Sequence, residues 1–201
     1  MLFGRNEYKE MVWKNGNGIT FEIDRFPKND KEDFQWRLSM AIVKYPGGPF
    51  SFYPNIDRSL AIFHGKKILL KINNEKSIHL NETSVPYSFA GETSIECEIF
   101  QDEITDFNVM TNRKYFQHKI QRLTLNRNDN PMKINNSNEN ILFFTLINGN
   151  LQMNQFHLTN GDTLKFDNQN QIIEISTLDE ISTFFFIQII PLKFNINESS
   201  S

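Results

Sequence analysis

A single cysteine, Cys97, stands in 201 residues. No internal disulfide can staple the chain, and stability must come from a packed core. An apolar-flanked lone thiol of this kind reads as a small core residue rather than a nucleophile. Positive charge is missing as a pattern: 21 Lys and Arg against 24 Asp and Glu are interspersed and leave a net charge of −3. Without a Lys/Arg stripe the electrostatic part of nucleic-acid binding has no source, so no DNA or RNA partner is expected. Long apolar runs are absent too. The most apolar stretch, "ISTFFFIQII" ending at Ile190, is closed by Pro191 and falls far short of the ~20 residues that cross a membrane. No membrane partner is expected. The N-terminal "MLFGRNEYKEMVWKNG" has no apolar h-region of a secretory signal, which makes the cytoplasm the expected location.

A sustained 3.6-residue period is also lacking, which predicts very little helix. What the chain has instead is 19 Phe, many in short runs bounded by Gly, Asn and Asp. Aromatics suit a pleated, half-buried surface, so the composition points to an all-β fold. Alternation supports this. Ile19, Phe21 and Ile23 share one face of "GITFEIDRF", with Thr20, Glu22 and Asp24 on the other. In "FQWRLSMAIV", Trp36, Leu38 and Met40 oppose Arg37, Ser39 and Ala41. "LAIF", "KILLKI", "SIHL", "YSF", "SIECEIF", "TDFNVM" and "KIQRLTLN" follow as further short strands. Asn148-Gly149 reads as a two-residue hairpin turn, because type I′ turns need φ > 0 at both central positions.

The halves repeat loosely. "LAIFHGKKILLKI…SIHL…YSFAGETSIECEIF" parallels "FTLINGNLQM…QFHLTNGDTLKFDNQNQIIEIS" at an offset of about eighty residues, the size of one small β-barrel unit. Two jelly-roll barrels of the cupin type account for length, repeat and lack of helix together. The expected division is 1–112 and 113–201, with 127–140 a polar, Asn-rich surface loop and 195–201 a frayed tail.

Four blocks in the first half are more specific: "WKNGNGITFEI", "FQWRLSMA", "GPFSFYPNIDRSL" and "DFNVM". In this order and spacing they resemble the signature blocks of the HutD/Ves family, a bicupin family, over roughly residues 11–112. The third block carries Asn55 where the family more usually has Gly, a mild change because Asn tolerates a left-handed turn position. The resemblance implies one of two roles. One is a regulatory protein that binds an intermediate of histidine breakdown and tempers induction of the pathway. The other is a stress-induced protein of the Ves kind without catalytic activity. A homodimer joined through edge strands is an expectation from fold-level analogy.

Strand parity places candidate site residues. Arg37 with Ser39, Thr20 with Glu22, and Asp106 with Asn108 and Met110 each share a face. If those faces look into the first barrel, Arg37 can meet a carboxylate with its bidentate fork, and Asn108 and Asn15 can bind the ligand's other polar end. Trp36 and Phe107, one residue out of phase, fall on the other side of the sheet. The competing reading is a solvated polar face. In "GPFSFYPNIDR", Pro54 and Asn55 make a turn, and Arg58 can pair with Asp57, pair with Glu22, or point at a ligand. Phe50, Phe52 and the turn then form either a lid over the barrel mouth or a structural turn. Trp13 plugs the strand that "WKNGNG" introduces. The expected ligand-binding set is therefore Asn15, Glu22, Arg37, Arg58 and Asn108. Trp13, Trp36, Ser39, Phe50, Ser51, Asp57 and Asp106 support it. No cofactor is expected: His64, His79, His118 and His157 are scattered, without metal-ligand spacing, and His79 and His157 read as surface strand positions. The rival to a carboxylate-binding protein is a metal-independent enzyme with Glu22 or Asp106 as general base.

Overall fold

Alternating apolar residues organise nearly the whole chain into strands in the computed structural model, which describes residues 1–14, 16–29, 33–136, 139–167 and 170–193. Asn15 and the segment 195–201 lie outside the described residues. The first strands are β1 (Leu2–Phe3), β2 (Lys9–Val12), β3 (Gly18–Phe26), β4 (Trp36–Lys44), β5 (Gly47–Pro49) and β6 (Ile56–His64). They are followed by β7 (Lys67–Ile72), β8 (Lys76–Asn81), β9 (Tyr87–Ala90), β10 (Ile95–Ile99) and β11 (Glu103–Asn112). The second half supplies β12 (Phe116–Asn126), β13 (Met132–Asn136), β14 (Ile141–Asn148) and β15 (Leu151–Met153). It ends with β16 (Phe156–Leu158), β17 (Thr163–Asp167), β18 (Gln171–Thr177) and β19 (Ile181–Pro191). Among the described residues the only helical element is a single 3₁₀ turn at Arg5–Glu7.

The strands build two sandwiches of one topology. The first packs the sheet β2-β3-β4-β11-β6-β9 on β5-β10-β7-β8. The second packs β12-β19-β14-β17-β1 on β13-β18-β15-β16. Written this way, β4-β11-β6-β9 corresponds to β12-β19-β14-β17, and β5-β10-β7-β8 to β13-β18-β15-β16. The repeat in the sequence is therefore a repeated topology, and the fold is a bicupin. One strand is exchanged: β1 pairs with β17, so Leu2–Phe3 closes the sheet of the second barrel rather than the first.

Three cores follow from strand parity. Leu60, Ile62, Leu70, Ile95, Cys97 and Ile104 fill one end of the first barrel. Leu146, Leu151, Met153, Leu164, Ile173 and Phe184 fill the second barrel. Between the barrels, the opposite faces of β4 and β11 supply Trp36, Leu38, Met40 and Phe107, which meet Phe143, Phe185 and Ile187.

Two local expectations change. The stretch 127–140 is not all loop: Met132–Asn136 pairs with Gln171–Ile175, because Met132 and Ile134 alternate and pack on the second core. Nor does Asn148-Gly149 make a hairpin. β14 pairs with β17 and β19, whereas β15 pairs with β16 and β18, so the chain crosses between sheets there. Only Gly149 of the pair has positive φ. The tight β7–β8 turn uses Asn73 and Asn74 instead, both at positive φ as a type I′ turn demands.

His118 on β12 joins the barrels. Its Nε2 lies 2.8 Å from Ser59 Oγ and its Nδ1 2.7 Å from Thr111 Oγ1, while Ser59 Oγ lies 2.7 Å from Ser88 Oγ. A neutral imidazole satisfies such a hydroxyl pair by donating from one nitrogen and accepting at the other. Burial pulls its pKa down to about 4, against a weaker upward pull from Asp57. Between pH 6.5 and 4 the unfolded chain therefore binds a proton that the folded chain does not, and stability from this group is lost as pH falls. Urea unfolding of wild type and of His118→Asn at pH 7 and pH 4 checks this. The wild type is expected to lose roughly 2–4 kcal/mol more than the variant over that interval.

Candidate functional site

A cavity of about 660 Å³ opens between the sheets of the first barrel and borders its apolar core, with Ala41 and Val43 shared between the two. Three strands supply its polar wall by the period-2 rule: β4 contributes Arg37 and Ser39, β6 Arg58, and β11 Asp106 and Asn108. Their intervening neighbours point into the core between the barrels. Register fixes the assembly, since Asn108 lies opposite both Ser39 and Leu60, and Met110 opposite both Arg37 and Arg58. The collar is more apolar, with Met11, Trp13, Phe50, Tyr53 and Met110. Gly47 also lines it at φ +99, where an added Cβ would run into the carbonyl oxygen of Cys97. Only glycine lets this edge come so close.

Arg58 is the deepest cation, 6% exposed. Its Nη2 donates to Asn108 Oδ1 at 3.0 Å and its Nη1 to the carbonyl of Ser51 at 3.3 Å. Rings of Phe50, Phe89 and Tyr53 lie 5.1, 5.0 and 5.5 Å from its guanidinium carbon. Burial pulls its pKa down to about 10, with Asp106 and Tyr53 opposing and Arg37 assisting. Arg37 is nearer the mouth, with its guanidinium carbon 4.9 Å from the Phe34 ring centre and 5.6 Å from that of Tyr53. Its contacts to Tyr53 Oη and Met110 Sδ are long, 3.5 and 3.6 Å. The Nε atoms of both arginines are buried without a hydrogen-bond partner. Among the described residues neither forms an ion pair. Asn108 Nδ2 donates to Asp106 Oδ1 at 2.7 Å. Asp106 is itself pushed up to about 7, burial outweighing Arg58 and that hydrogen bond.

The expected residues separate cleanly. Arg37, Arg58 and Asn108 line the cavity with Trp13, Ser39, Phe50, Ser51 and Asp106. Trp13 is held by its Nε1, which donates to Thr20 Oγ1 at 2.8 Å. Glu22 is buried on the same face, opposite Ser39, but is not part of the lining. Trp36 belongs to the other face, edge-on to Phe143, because it is one residue out of phase with Arg37. Asp57 likewise points away from its neighbour Arg58: its Oδ1 accepts from Arg113 Nε at 3.0 Å. Arg113 also grips Glu92 and the carbonyl of Ile56, which pins the turn that carries Tyr53 to Arg58. Tyr53, beside both arginines, is a lining residue outside the set expected from the sequence. Its signal was its place as third aromatic in "FSFY".

Among the described residues no group of three His, Cys, Asp or Glu side chains is gathered to hold a metal ion. His79 and His157 are exposed on their strands. No helix among the described residues is long and apolar enough to cross a membrane.

The family model for HutD matches residues 5–182. An uncharacterised 21.2 kDa protein in the hutC 3′ region of Pseudomonas putida is 30% identical over 120 residues, 60% of this chain and 62% of that one. Protein Ves of Citrobacter koseri is 31% identical over 110 residues, 54% of this chain and 56% of its own. The match thus spans less than two thirds of these curated relatives. HutD from Pseudomonas fluorescens SBW25 shares the fold at a TM-score of 0.81 and 22% identity, over 96% of this chain and 99% of that structure. With the family model matched from the 3₁₀ turn into β19, the chain belongs to the HutD family.

Proposed function

We propose that the first barrel binds a small carboxylate and that the chain acts as a binding or regulatory protein. The observation that carries this is the charge balance of the cavity wall: two arginines, no ion pair to either among the described residues, and one buried acid poised near neutrality. A ligand carboxylate would supply the missing anion, and a planar guanidinium fork is the group suited to receive it. The cavity suits a small metabolite in size. The Pseudomonas putida relative's place in a hutC 3′ region supports looking first among intermediates of histidine breakdown.

The test is thermal shift and calorimetry with histidine, urocanate, formiminoglutamate and formylglutamate. At least one is expected to stabilise the wild type, and Arg37→Ala to weaken its binding at least tenfold. Stabilisation undiminished in Arg37→Ala would sink the pocket as drawn. A second reading, a metal-independent enzyme, is favoured by Asp106, whose pKa near 7 suits a general base at the wall of the cavity. Product analysis after incubation with chelator present separates the two. Turnover that disappears in Asp106→Asn would favour the enzyme.

A further inference from the structure

A carboxylate site leaves one side chain at odds with its surroundings: Asp106, an acid in the wall of a pocket for acids. It is 4% exposed and lines the cavity with Arg37, Arg58 and Asn108. Its Oδ1 accepts from Asn108, and Arg58 gives its own hydrogen bonds to Asn108 and Ser51 rather than to Asp106. The titratable groups that face it are Arg58 on β6, Arg37 on β4 and Cys97 on β10, with Tyr53 and Lys14 at the mouth and Glu22 on the same face of β3. Cys97 stays a neutral thiol, pushed up to about 12 by burial and then by Asp106.

A ligand carboxylate drawn to Arg37 and Arg58 brings a second negative charge into this space. Two carboxylates sharing a low-dielectric site do not both stay ionised, and the proton goes to the one that holds it at least cost. Asp106 is that group. Its carboxyl is already raised to about 7, chiefly by burial, so protonation near neutral pH costs little. Once protonated it also changes role, from acceptor to donor.

We infer that Asp106 meets the ligand as a protonated acid, its O–H directed at the bound carboxylate, so that the site takes up one solvent proton per carboxylate bound. This rests on the carboxylate reading above. It makes Asp106 a specificity residue: an acceptor-only group is favoured at this position, and an ammonium or amide N–H is not.

The experiment is calorimetry with urocanate and formylglutamate as probes, at pH 8 in HEPES and in Tris, whose ionisation enthalpies differ. The enthalpy difference between buffers is expected to report close to one proton taken up. Affinity is expected to fall about tenfold per pH unit above pH 7.5. Asp106→Asn, a near-isostere that cannot ionise, is expected to bind with flat pH dependence, without proton uptake, and more tightly than wild type at pH 8.5. Binding with no proton uptake and flat affinity overturns the inference and leaves the carboxylate site standing. An Asp106→Asn variant that folds but binds neither probe at pH 6 also overturns it, since the charge itself would then be required. If the variant fails to fold, the wild-type proton count decides alone. If neither probe binds, histidine or formiminoglutamate takes their place in the same measurement, and no binding of any of the four at any pH overturns both readings.

Discussion

Arg58→Met is expected to weaken carboxylate binding at least 100-fold while changing stability by no more than about 1 kcal/mol. The two halves of this expectation come from different terms. Arg58 is a buried cation with no ion-pair partner among the described residues, and burial already pulls its pKa down to about 10. Replacing such a group by an apolar one of similar length is often neutral or stabilising, because the desolvation cost disappears. Against that, cation–π contacts with Phe50 and Phe89 are lost, each worth ~0.5–2 kcal/mol. Methionine recovers part of this, since a thioether packs well on aromatic edges. The terms oppose, and unfolding midpoints close to wild type should result. Binding has no such compensation. Removing the deep guanidinium takes away charge-assisted donors in a water-poor site, a loss of about 2–5 kcal/mol. Arg58→Lys keeps the charge without the planar fork and should fall between the two. Calorimetry with the tightest-binding carboxylate of the histidine-breakdown panel, alongside urea unfolding, checks both halves. A stability loss that parallels the binding loss would make Arg58 a structural residue instead.

Alternation made much of the site legible in the sequence. In "RLS" and "DFNVM" the polar residues fall two apart, so parity groups each set on one face; that this face looks into a cavity rather than to solvent emerges only with the burial of both faces of β4 and β11. Arg58 and Asp57 follow the same rule in reverse: adjacent strand residues face opposite ways, so the tempting acid–base pair never forms. Glu22 has the right parity and lies opposite Ser39, yet it is not part of the lining, and parity alone does not say how far along β3 the cavity reaches. Turn chemistry was less readable. "NG" at 148–149 is a strong hairpin signal, yet a jelly roll uses that point to change sheets, and topology overrides the local preference. His118 was invisible for a related reason. Its partners Ser59 and Thr111 come from another barrel, and nothing in "FQHKI" foretells which residues that barrel presents.

Phe107→Ala is expected to destabilise the whole chain by about 3–5 kcal/mol, lowering its melting temperature by roughly 10 °C in one transition. Phe107 is fully buried and stacks on Phe185 of β19, with ring centres 4.9 Å apart. Around this pair lie Leu38, Met40 and Val109 from the first barrel and Phe143, Ile187 and Ile189 from the second. Arg122 closes one side, its guanidinium carbon 4.7 Å from the Phe185 ring centre. Removing the Phe107 ring therefore opens a void bounded by two rigid sheets. Neither sheet can collapse into it without disturbing its own barrel, and the cost should reach the upper part of the usual range. The same geometry couples the halves, because this core is owned by both. Phe107→Leu should recover a large part of the loss, whereas Phe52→Ala, at a site 67% exposed, should stay within ~0.5 kcal/mol of wild type. Scanning calorimetry separates the possibilities. Two transitions, with only one displaced by Phe107→Ala, would mean that the barrels melt independently. Because Phe107 stands between Asp106 and Asn108 on β11, a single cooperative transition has a functional corollary. The second barrel, whose interior is filled by its own side chains, would then be the rigid backing that holds β11, and with it Asp106 and Asn108, in register.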